Sequence, residues 1–217
     1  MLCRLNDVQL DWPCAREWIL SEHADGSRRF NGFDLHSALV YWLRGSNGVG
    51  KSTWLRVVSG LLPSLGKVDW SLCSYQGQLK KGFYVLSPMG YAASSTVSDL
   101  VSREYFIRTG FDLPELLLSQ FLNRFSLLSH RDTTWQCLSS GQKKALQLSS
   151  LCYADRLIWI LDEPFVYLDS HLRVVLLSLI QEHIQLGGTV LIVSHSDFSC
   201  EHRSVFLSRG GLLCMDS

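Results

Sequence analysis

The stretch GSNGVGKST, residues 45 to 53, contains residue types that can bind a chain of phosphates. It fits the pattern G-x-x-x-x-G-K-[ST], with Gly45, Gly50, Lys51 and Ser52 at the defined positions. Glycines let the backbone turn so that successive N–H groups point inward, and a following helix adds its N-terminus to this anion cradle. We expect Lys51 to reach the β- and γ-phosphates and the Ser52 hydroxyl to ligate Mg²⁺. The predicted phosphate-binding residues are Gly45, Ser46, Asn47, Gly48, Val49, Gly50, Lys51, Ser52 and Thr53.

A glycine-rich turn with a chance lysine is the alternative interpretation of this stretch. An apolar strand precedes it and a helical pattern follows it, which is the context that a phosphate loop needs. The sequence therefore predicts nucleoside triphosphate binding. The loop alone leaves open whether the protein is a kinase, a GTPase, a motor or an ATPase.

A second stretch, LIWILDEP at residues 157–164, ends a buried strand in two acids. Ligands gather at the carboxyl ends of parallel strands, so we expect this end beside the phosphate loop. Asp162 would support Mg²⁺ there, and Glu163 would act as a general base or orient the attacking water. An apolar strand followed by a polar turn, with Pro164 as the breaker, is the alternative. An Asp-Glu pair at this place favours an ATPase over a kinase.

Apolar strands alternating with helices must position these groups. Strands are predicted over 33–45, 66–72, 81–87, 156–164 and 187–195, and a hairpin over 204–215. Helices are predicted over 51–62, about 98–128 with Pro114 at a helix start, and 170–186, and residues 138–154 are predicted to be a turn leading into a helix. This alternation indicates an α/β fold with a mostly parallel sheet and helices on both faces. The helical block in the middle of the chain interrupts the alternation and could form a lobe beside the core.

Bulk composition excludes several classes of protein. Lys plus Arg equal Asp plus Glu at 20 each, so no net field favours nucleic acid, and we expect no nucleic-acid partner. Hydrophobic residues make up 47% of the 217 positions, which allows a large core, but no apolar run approaches the roughly 20 residues of a membrane span. The N-terminus lacks a signal-peptide core, which favours a cytosolic protein. Seven cysteines without a CxxC pair argue against a disulfide framework or a zinc site.

A third stretch, LSSGQ at residues 138–142, completes an ordered set of motifs. GSNGVGKST, LSSGQ and LIWILDEP, in this order and spacing, resemble the ATP-binding subunits of ABC transporters over nearly the whole chain. The resemblance implies the P-loop NTPase fold of ABC ATPases, with an antiparallel β part. It also implies one domain over 1–217, with a helical subdomain at about 90–150 inserted in a RecA-like core. ATP and Mg²⁺ are the implied ligands.

In that family two subunits sandwich ATP head to tail, which implies a homodimer here. The predicted signature loop, which would act on the partner's ATP, comprises Leu138, Ser139, Ser140, Gly141 and Gln142. Ser139 offers a hydroxyl, Gly141 allows close approach, and the following helix presents its positive end. Ser139 could also serve as a helix N-cap, and we expect both roles. The resemblance further places a γ-phosphate contact at His195 and the D-loop aspartate at Asp169.

Two positions depart from the family pattern or stay open. The glutamine that the family places after the next strand is replaced, in our alignment, by Ser87, which is too short to reach Mg²⁺ without water. Either Ser87 with a water substitutes, with slower hydrolysis, or the coupling to a membrane partner differs. The family often stacks an aromatic ring on adenine. Trp12 and Trp18 are the candidates, and either could be a core residue.

The motif details look most like the haem exporter ATP-binding subunit of cytochrome c biogenesis, in which WILDEPF recurs. Here Trp159 and Phe165 occupy those places. This resemblance implies a peripheral ATPase on the cytoplasmic face of the inner membrane, bound to integral-membrane permease subunits. Three alternatives remain: the ATPase of another small ABC exporter, a non-transport ABC protein, and an ATP-binding switch with weak hydrolysis.

Overall fold

A computed structural model describes most of the chain outside its N-terminal part. The described residues are 3–9, 21–22, 28–29, 33–59, 61, 65–69, 83–86, 91–154, 156–195, 197–208 and 211–215. Its strands are β1 Cys3–Gln9, β2 Ser21–Glu22, β3 Arg28–Arg29, β4 Phe33–Leu35, β5 Val40–Arg44, β6 Leu65–Asp69, β7 Phe83–Leu86, β8 Ile158–Asp162, β9 Thr189–Val193, β10 Arg203–Ser208 and β11 Gly211–Met215. Its helices are α1 Lys51–Val58, α2 Val97–Thr109, α3 Glu115–Arg124, α4 Ser140–Ser149 and α5 Ser170–Gln185. Short 3₁₀ turns span Leu128–His130, Trp135–Cys137 and Ser150–Tyr153.

A six-stranded sheet in the order β11-β10-β5-β9-β8-β7 carries the site. β5 runs parallel to β10 on one side and to β9 on the other, and β9 runs parallel to β8. β10 and β11 form the predicted antiparallel hairpin. A separate antiparallel sheet has the order β4-β1-β6, and β2 pairs with β3. The predicted α/β fold, mostly parallel with an antiparallel part, is confirmed.

The central strands of this sheet are buried because they are almost entirely apolar. All of β9 is buried, and so are the first four residues of both β5 and β8. Strands buried on both faces lack the alternation of half-exposed strands, which explains their continuous apolar runs. α1 packs on β8, with Trp54 and Leu55 at 2% and 3% exposure.

The single strand predicted over 33–45 is wrong in its extent. The structure divides this stretch into β4, which pairs with β1, and β5, which lies in the six-stranded sheet. Between them Ala38 adopts a φ of 58°, a left-handed conformation that no strand can continue through. The helix predicted over 51–62 also ends sooner, at Val58.

Two compact units make up the chain. The first contains Met1–Val85, Arg156–Pro164 and His183–Ser217, and the second contains Leu86–Asp155 and Phe165–Glu182. The second unit includes α2, α3 and α4, around a core with Leu122, Phe125 and Leu127. Thr96 begins α2 through a reciprocal capping box with Asp99, and Pro114 precedes α3, as predicted. None of the helices within the described residues has the length and apolar character that crossing a bilayer requires.

His183, near the end of α5, is a buried histidine of the first unit. Its ring stacks on Trp159 of β8, with centroids 3.9 Å apart and an interplanar angle of 8°. Its Nε2 lies 3.2 Å from the carbonyl oxygen of Leu157, so the Nε2–H tautomer can donate to it. A methyl group added at Gly188 would run into the ring. Burial in this tight site lowers the pKa of His183 to about 4.

We expect His183 to make folding stability depend on pH below neutrality. The fold holds the neutral ring, whose ordinary pKa is 6.5, so the stabilisation is present above pH 6.5 and is lost as pH falls towards 4. The loss at pH 5 should be about 2 kcal/mol of unfolding free energy. His183→Phe keeps a ring on Trp159 and removes the titration. Urea unfolding of both proteins at pH 7.5 and pH 5 should therefore show a smaller decrease for the variant, and equal decreases would contradict the assignment.

Candidate functional site

The phosphate loop connects β5 to α1. Gly45 follows β5 with a φ of 153°, and a Cβ there would lie 2.5 Å from the carbonyl oxygen of Leu207 on neighbouring β10. Any side chain would push these strands apart, so the first position of the motif requires glycine. The Val49 N–H donates to the Ser46 carbonyl at 3.3 Å, which closes the turn before the helix.

Lys51, the first residue of α1, lies back over this loop. Its side chain is only 7% exposed, and Nζ donates to the carbonyl oxygens of Gly45 at 2.8 Å and Ser46 at 3.1 Å. A buried ammonium requires such partners. The positive charge is therefore held at the helix N-terminus, where an anion is also favoured by the helix dipole.

Ser52 and Asp162 meet although they are 110 residues apart. Ser52 lies in the first turn of α1, and its Oγ donates to Oδ1 of Asp162 at the end of β8, with 3.2 Å between the oxygens. A hydroxyl and a carboxylate are hard oxygen ligands of the kind that Mg²⁺ prefers. The two residues predicted to bind Mg²⁺ are thus in hydrogen-bond contact beside Lys51.

Glu163 and His195 follow the neighbouring strands β8 and β9 and contact each other. Glu163 has a φ of 46°, and its N–H donates to the Val193 carbonyl at 2.8 Å. Its Oε2 accepts a hydrogen bond from the backbone N–H of His195 at 3.3 Å, and its Oε1 lies 3.5 Å from Nε2 of the His195 ring. A glutamate in the left-handed region is uncommon, and the contacts to the end of β9 hold it there.

Lys51, Ser52, Glu163 and His195 line one cleft of about 390 Å³, a volume in the range of small-molecule sites. The lining residues are Asn47, Gly48, Gly50, Lys51, Ser52, Thr53, Glu163, Val193 and His195. Val193, the last residue of β9, is the lining residue that we did not predict. The rule that ligands gather at the carboxyl ends of strands could have identified it, because its strand ends beside the loop.

The signature stretch, in the second unit, starts α4. Ser139 is the N-cap: its Oγ accepts from the Gln142 N–H at 3.2 Å, and its own N–H donates to Gln142 Oε1 at 2.8 Å. Ser139 and Ser140 are exposed, whereas Leu138 is buried. A Cβ at Gly141 would lie 3.1 Å from the carbonyl oxygen of Tyr167. The stretch thus presents an exposed, capped helix N-terminus.

Asp169, the predicted D-loop residue, caps α5. Its Oδ1 accepts from the Leu172 N–H at 2.8 Å, which satisfies a donor of the first turn.

Gln142 of the signature stretch contacts His130, with Nε2 of the two side chains 2.9 Å apart. Sequence reasoning missed this contact, and a pair separated by twelve positions outside one helix leaves no periodic signal.

The structure brings the predicted phosphate-loop residues, Asp162, Glu163 and His195 together in the first unit. It places the signature stretch and Asp169 in the second unit. Ser87 and the two aromatic candidates Trp12 and Trp18 lie outside the described residues.

Known proteins resemble this chain in sequence. The profile of the ABC transporter family matches residues 31–166. The cytochrome c biogenesis ATP-binding export protein CcmA of Haemophilus ducreyi is 33% identical over 177 residues, covering 78% of this chain and 83% of that protein. The protein of the same name from Legionella pneumophila strain Lens is 33% identical over 173 residues, covering 76% of this chain and 83% of the relative.

Solved structures share the fold at lower sequence identity. An ATP-binding subunit of an ABC transporter superposes with a TM-score of 0.74 at 20% identity, covering 98% of this chain and 88% of the other. An ATP-binding cassette of an ABC transporter in its ADP conformation gives 0.67 at 17% identity, covering 97% and 88%. Motifs, fold and sequence similarity agree, and the chain belongs to the ABC transporter family, as an ATP-binding subunit.

Proposed function

We propose that this protein binds and hydrolyses ATP to drive an exporter that serves cytochrome c biogenesis, with haem as the transported species. The observation that carries the proposal is the cleft lined by Lys51, Ser52, Glu163 and His195, with Asp162 hydrogen-bonded to Ser52. The assignment to cytochrome c biogenesis is supported by the 33% identity to the CcmA protein of Haemophilus ducreyi over 78% of the chain.

ATP would lie with its phosphates on the loop. Lys51 already faces that space, and it would exchange the carbonyls of Gly45 and Ser46 for phosphate oxygens. An ammonium group binds an anionic phosphate oxygen more strongly than a neutral carbonyl oxygen, so the exchange favours the bound state. The N–H groups at the start of α1 add to the attraction.

Mg²⁺ fits the donor set beside this cleft. Ser52 and Asp162 supply a hydroxyl and a carboxylate whose oxygens are 3.2 Å apart. Bound there, the ion would neutralise charge on the β- and γ-phosphates. Ser87, at the position where the family has a glutamine that contacts Mg²⁺, lies outside the described residues, and its role stays a proposal.

Glu163 is the proposed general base. Oε2 is anchored by the His195 N–H, and Oε1 would accept the proton of the attacking water as its oxygen bonds to the γ-phosphorus and the bond to ADP breaks. The products are ADP and phosphate. The His195 ring, 57% exposed beside Oε1, would contact the γ-phosphate.

The complete site would contain two copies of this chain. The exposed N-terminus of α4, with Ser139, Ser140 and Gly141, would face the γ-phosphate held by the second copy. The buried side chain of Leu138 would hold this helix start in place. Asp169 would lie at the same homodimer interface. We propose that the chain is a single domain over 1–217 with a helical subdomain at about 90–150. The assembled dimer would bind permease subunits at the cytoplasmic face of the inner membrane.

Lys51→Ala should weaken ATP binding by at least about 100-fold, because it removes the charge that faces the phosphates. Titration with a fluorescent ATP analogue measures the affinity. Arg56→Ala is the matched control, since Arg56 is an exposed cation on the same helix and outside the cleft. Unchanged affinity in Lys51→Ala would remove the phosphate-loop assignment.

Cells that carry Lys51→Ala in the chromosome should also lose covalently bound c-type haem, which a peroxidase stain of membrane proteins detects. Arg56→Ala cells should keep it. Normal c-type cytochromes in cells whose protein no longer binds ATP would contradict the cytochrome c assignment and leave the ATPase assignment intact.

Glu163→Gln should keep ATP affinity and reduce turnover by about 10²- to 10⁴-fold, because an amide cannot accept the proton. Its oxygen can still accept from the His195 N–H, so the fold is kept. Phosphate release measures turnover, with Glu201→Gln as an exposed control. Size-exclusion chromatography with ATP should show an accumulated dimer, and normal turnover would exclude Glu163 as the base.

Ser139→Ala and Thr96→Ala remove equivalent capping boxes from α4 and α2. Each should cost about 1 kcal/mol of unfolding free energy. Only Ser139→Ala should also lower ATP turnover, by about tenfold, because its hydroxyl would serve the partner's ATP. Turnover that falls equally in both variants would assign Ser139 a capping role alone.

A further inference from the structure

The peptide unit between Ser194 and His195 is held at both of its polar ends. Its carbonyl oxygen accepts a hydrogen bond from Nε1 of Trp42 at 3.0 Å, and its N–H donates to Oε2 of Glu163 at 3.3 Å. The two contacts come from different strands, β5 and the end of β8. One rigid peptide thus connects the indole to the carboxylate.

The indole of Trp42 is itself fixed. The side chain is 5% exposed and lies on the strand that leads into the phosphate loop. The ring centroids of Phe198 and His202 lie 4.9 Å and 5.0 Å from its own, and the Arg44 guanidinium lies over the ring at 4.2 Å. These contacts leave the indole little freedom to turn, so its N–H has a defined direction.

Two physical effects transmit the position of the indole to Glu163. The peptide is planar, so fixing the direction of its carbonyl also fixes the direction of its N–H. A carbonyl that accepts a hydrogen bond polarises its peptide, which makes the N–H at the other end a better donor. Both effects strengthen the hold on Oε2.

We propose that Trp42 is a positioning residue for ATP hydrolysis, which orients the Glu163 carboxylate through the Ser194–His195 peptide. This role rests on the proposed function of Glu163 as the base. It concerns the chemical step, because Trp42 does not line the cleft and its side chain points to the peptide behind it. A group that acts on the chemical step alone changes kcat and leaves nucleotide affinity as it was.

A purely space-filling tryptophan is the competing explanation, and the indole N–H distinguishes the two. Trp42→Phe keeps an aromatic ring and removes the donor. Replacing Trp42 by benzothienylalanine, introduced at this position by amber suppression, keeps the bicyclic shape and replaces only N–H by sulfur. The matched control is Trp159→Phe, which changes another buried tryptophan of the same sheet, one that stacks on His183.

We expect both changes at Trp42 to lower kcat by about tenfold and to leave the Kd for ATP within about twofold. In an amide NMR spectrum the His195 proton should move upfield, which reports a weaker hydrogen bond to Glu163. Trp159→Phe should leave kcat and this resonance unchanged. In the Glu163→Asp background, whose carboxylate is one methylene shorter, the loss on changing Trp42 should shrink to under about twofold.

Normal kcat for the benzothienylalanine protein would overturn the inference, and so would an equal loss in Trp159→Phe. The benzothienylalanine protein decides the matter if Trp42→Phe does not fold. These outcomes differ from a failure of the proposed function, in which Glu163→Gln itself would hydrolyse ATP normally.

Discussion

The register of three parallel strands decides where the residues that follow these strands lie. Leu43 of β5 and Asp162 of β8 both pair with Val193 of β9, so the three strands reach their carboxyl ends at one level. Gly45, Glu163 and His195 then emerge side by side. A slip of one residue would turn each side chain to the opposite face of the sheet, and Asp162 would no longer meet Ser52.

The opposite end of the same strands shows how this register is maintained. Thr189, at the start of β9, is completely buried, and its N–H donates to the Leu157 carbonyl at 2.7 Å. Its hydroxyl donates to the His36 carbonyl, also at 2.7 Å. A slipped strand would leave these buried polar groups without partners, at a cost of roughly 1–3 kcal/mol each. Burial of the apolar side chains stabilises the sheet, and the polar contacts make this strand register more stable than a shifted one.

Local sequence patterns were enough to locate most of the cleft. Lys51 could be assigned from the G-x-x-x-x-G-K-[ST] pattern, and Glu163 from its place at the end of an apolar strand. The contact between Trp42 and Ser194 could not, because it joins residues 152 positions apart and depends on the packing of two strands. The break at Ala38 also escaped notice, since alanine carries no preference for a left-handed conformation.

The helix starts show the same division between local and distant information. A serine ahead of a helical pattern predicts an N-cap, and Ser139 has that role. The reciprocal bond from Gln142 follows from its position three residues later, a rule that glutamine satisfies as well as glutamate. Aspartate is a common N-cap residue, so the capping of α5 by Asp169 could be expected from its type. A role of Asp169 between two copies depends on the second copy, which the sequence of one chain does not describe.

The folded-back lysine of the phosphate loop has a consequence for what the protein can discriminate. Because the ammonium of Lys51 is already engaged by two carbonyl oxygens, an arriving anion competes with neighbours instead of filling an empty place. A small monovalent anion offers Lys51 one contact in exchange for two, so the gain in binding free energy is small. A polyphosphate offers several oxygens at once to the lysine and the adjoining amides, and simultaneous contacts reinforce one another. The loop would therefore bind ligands that carry several negative charges on one molecule in preference to ligands that carry one.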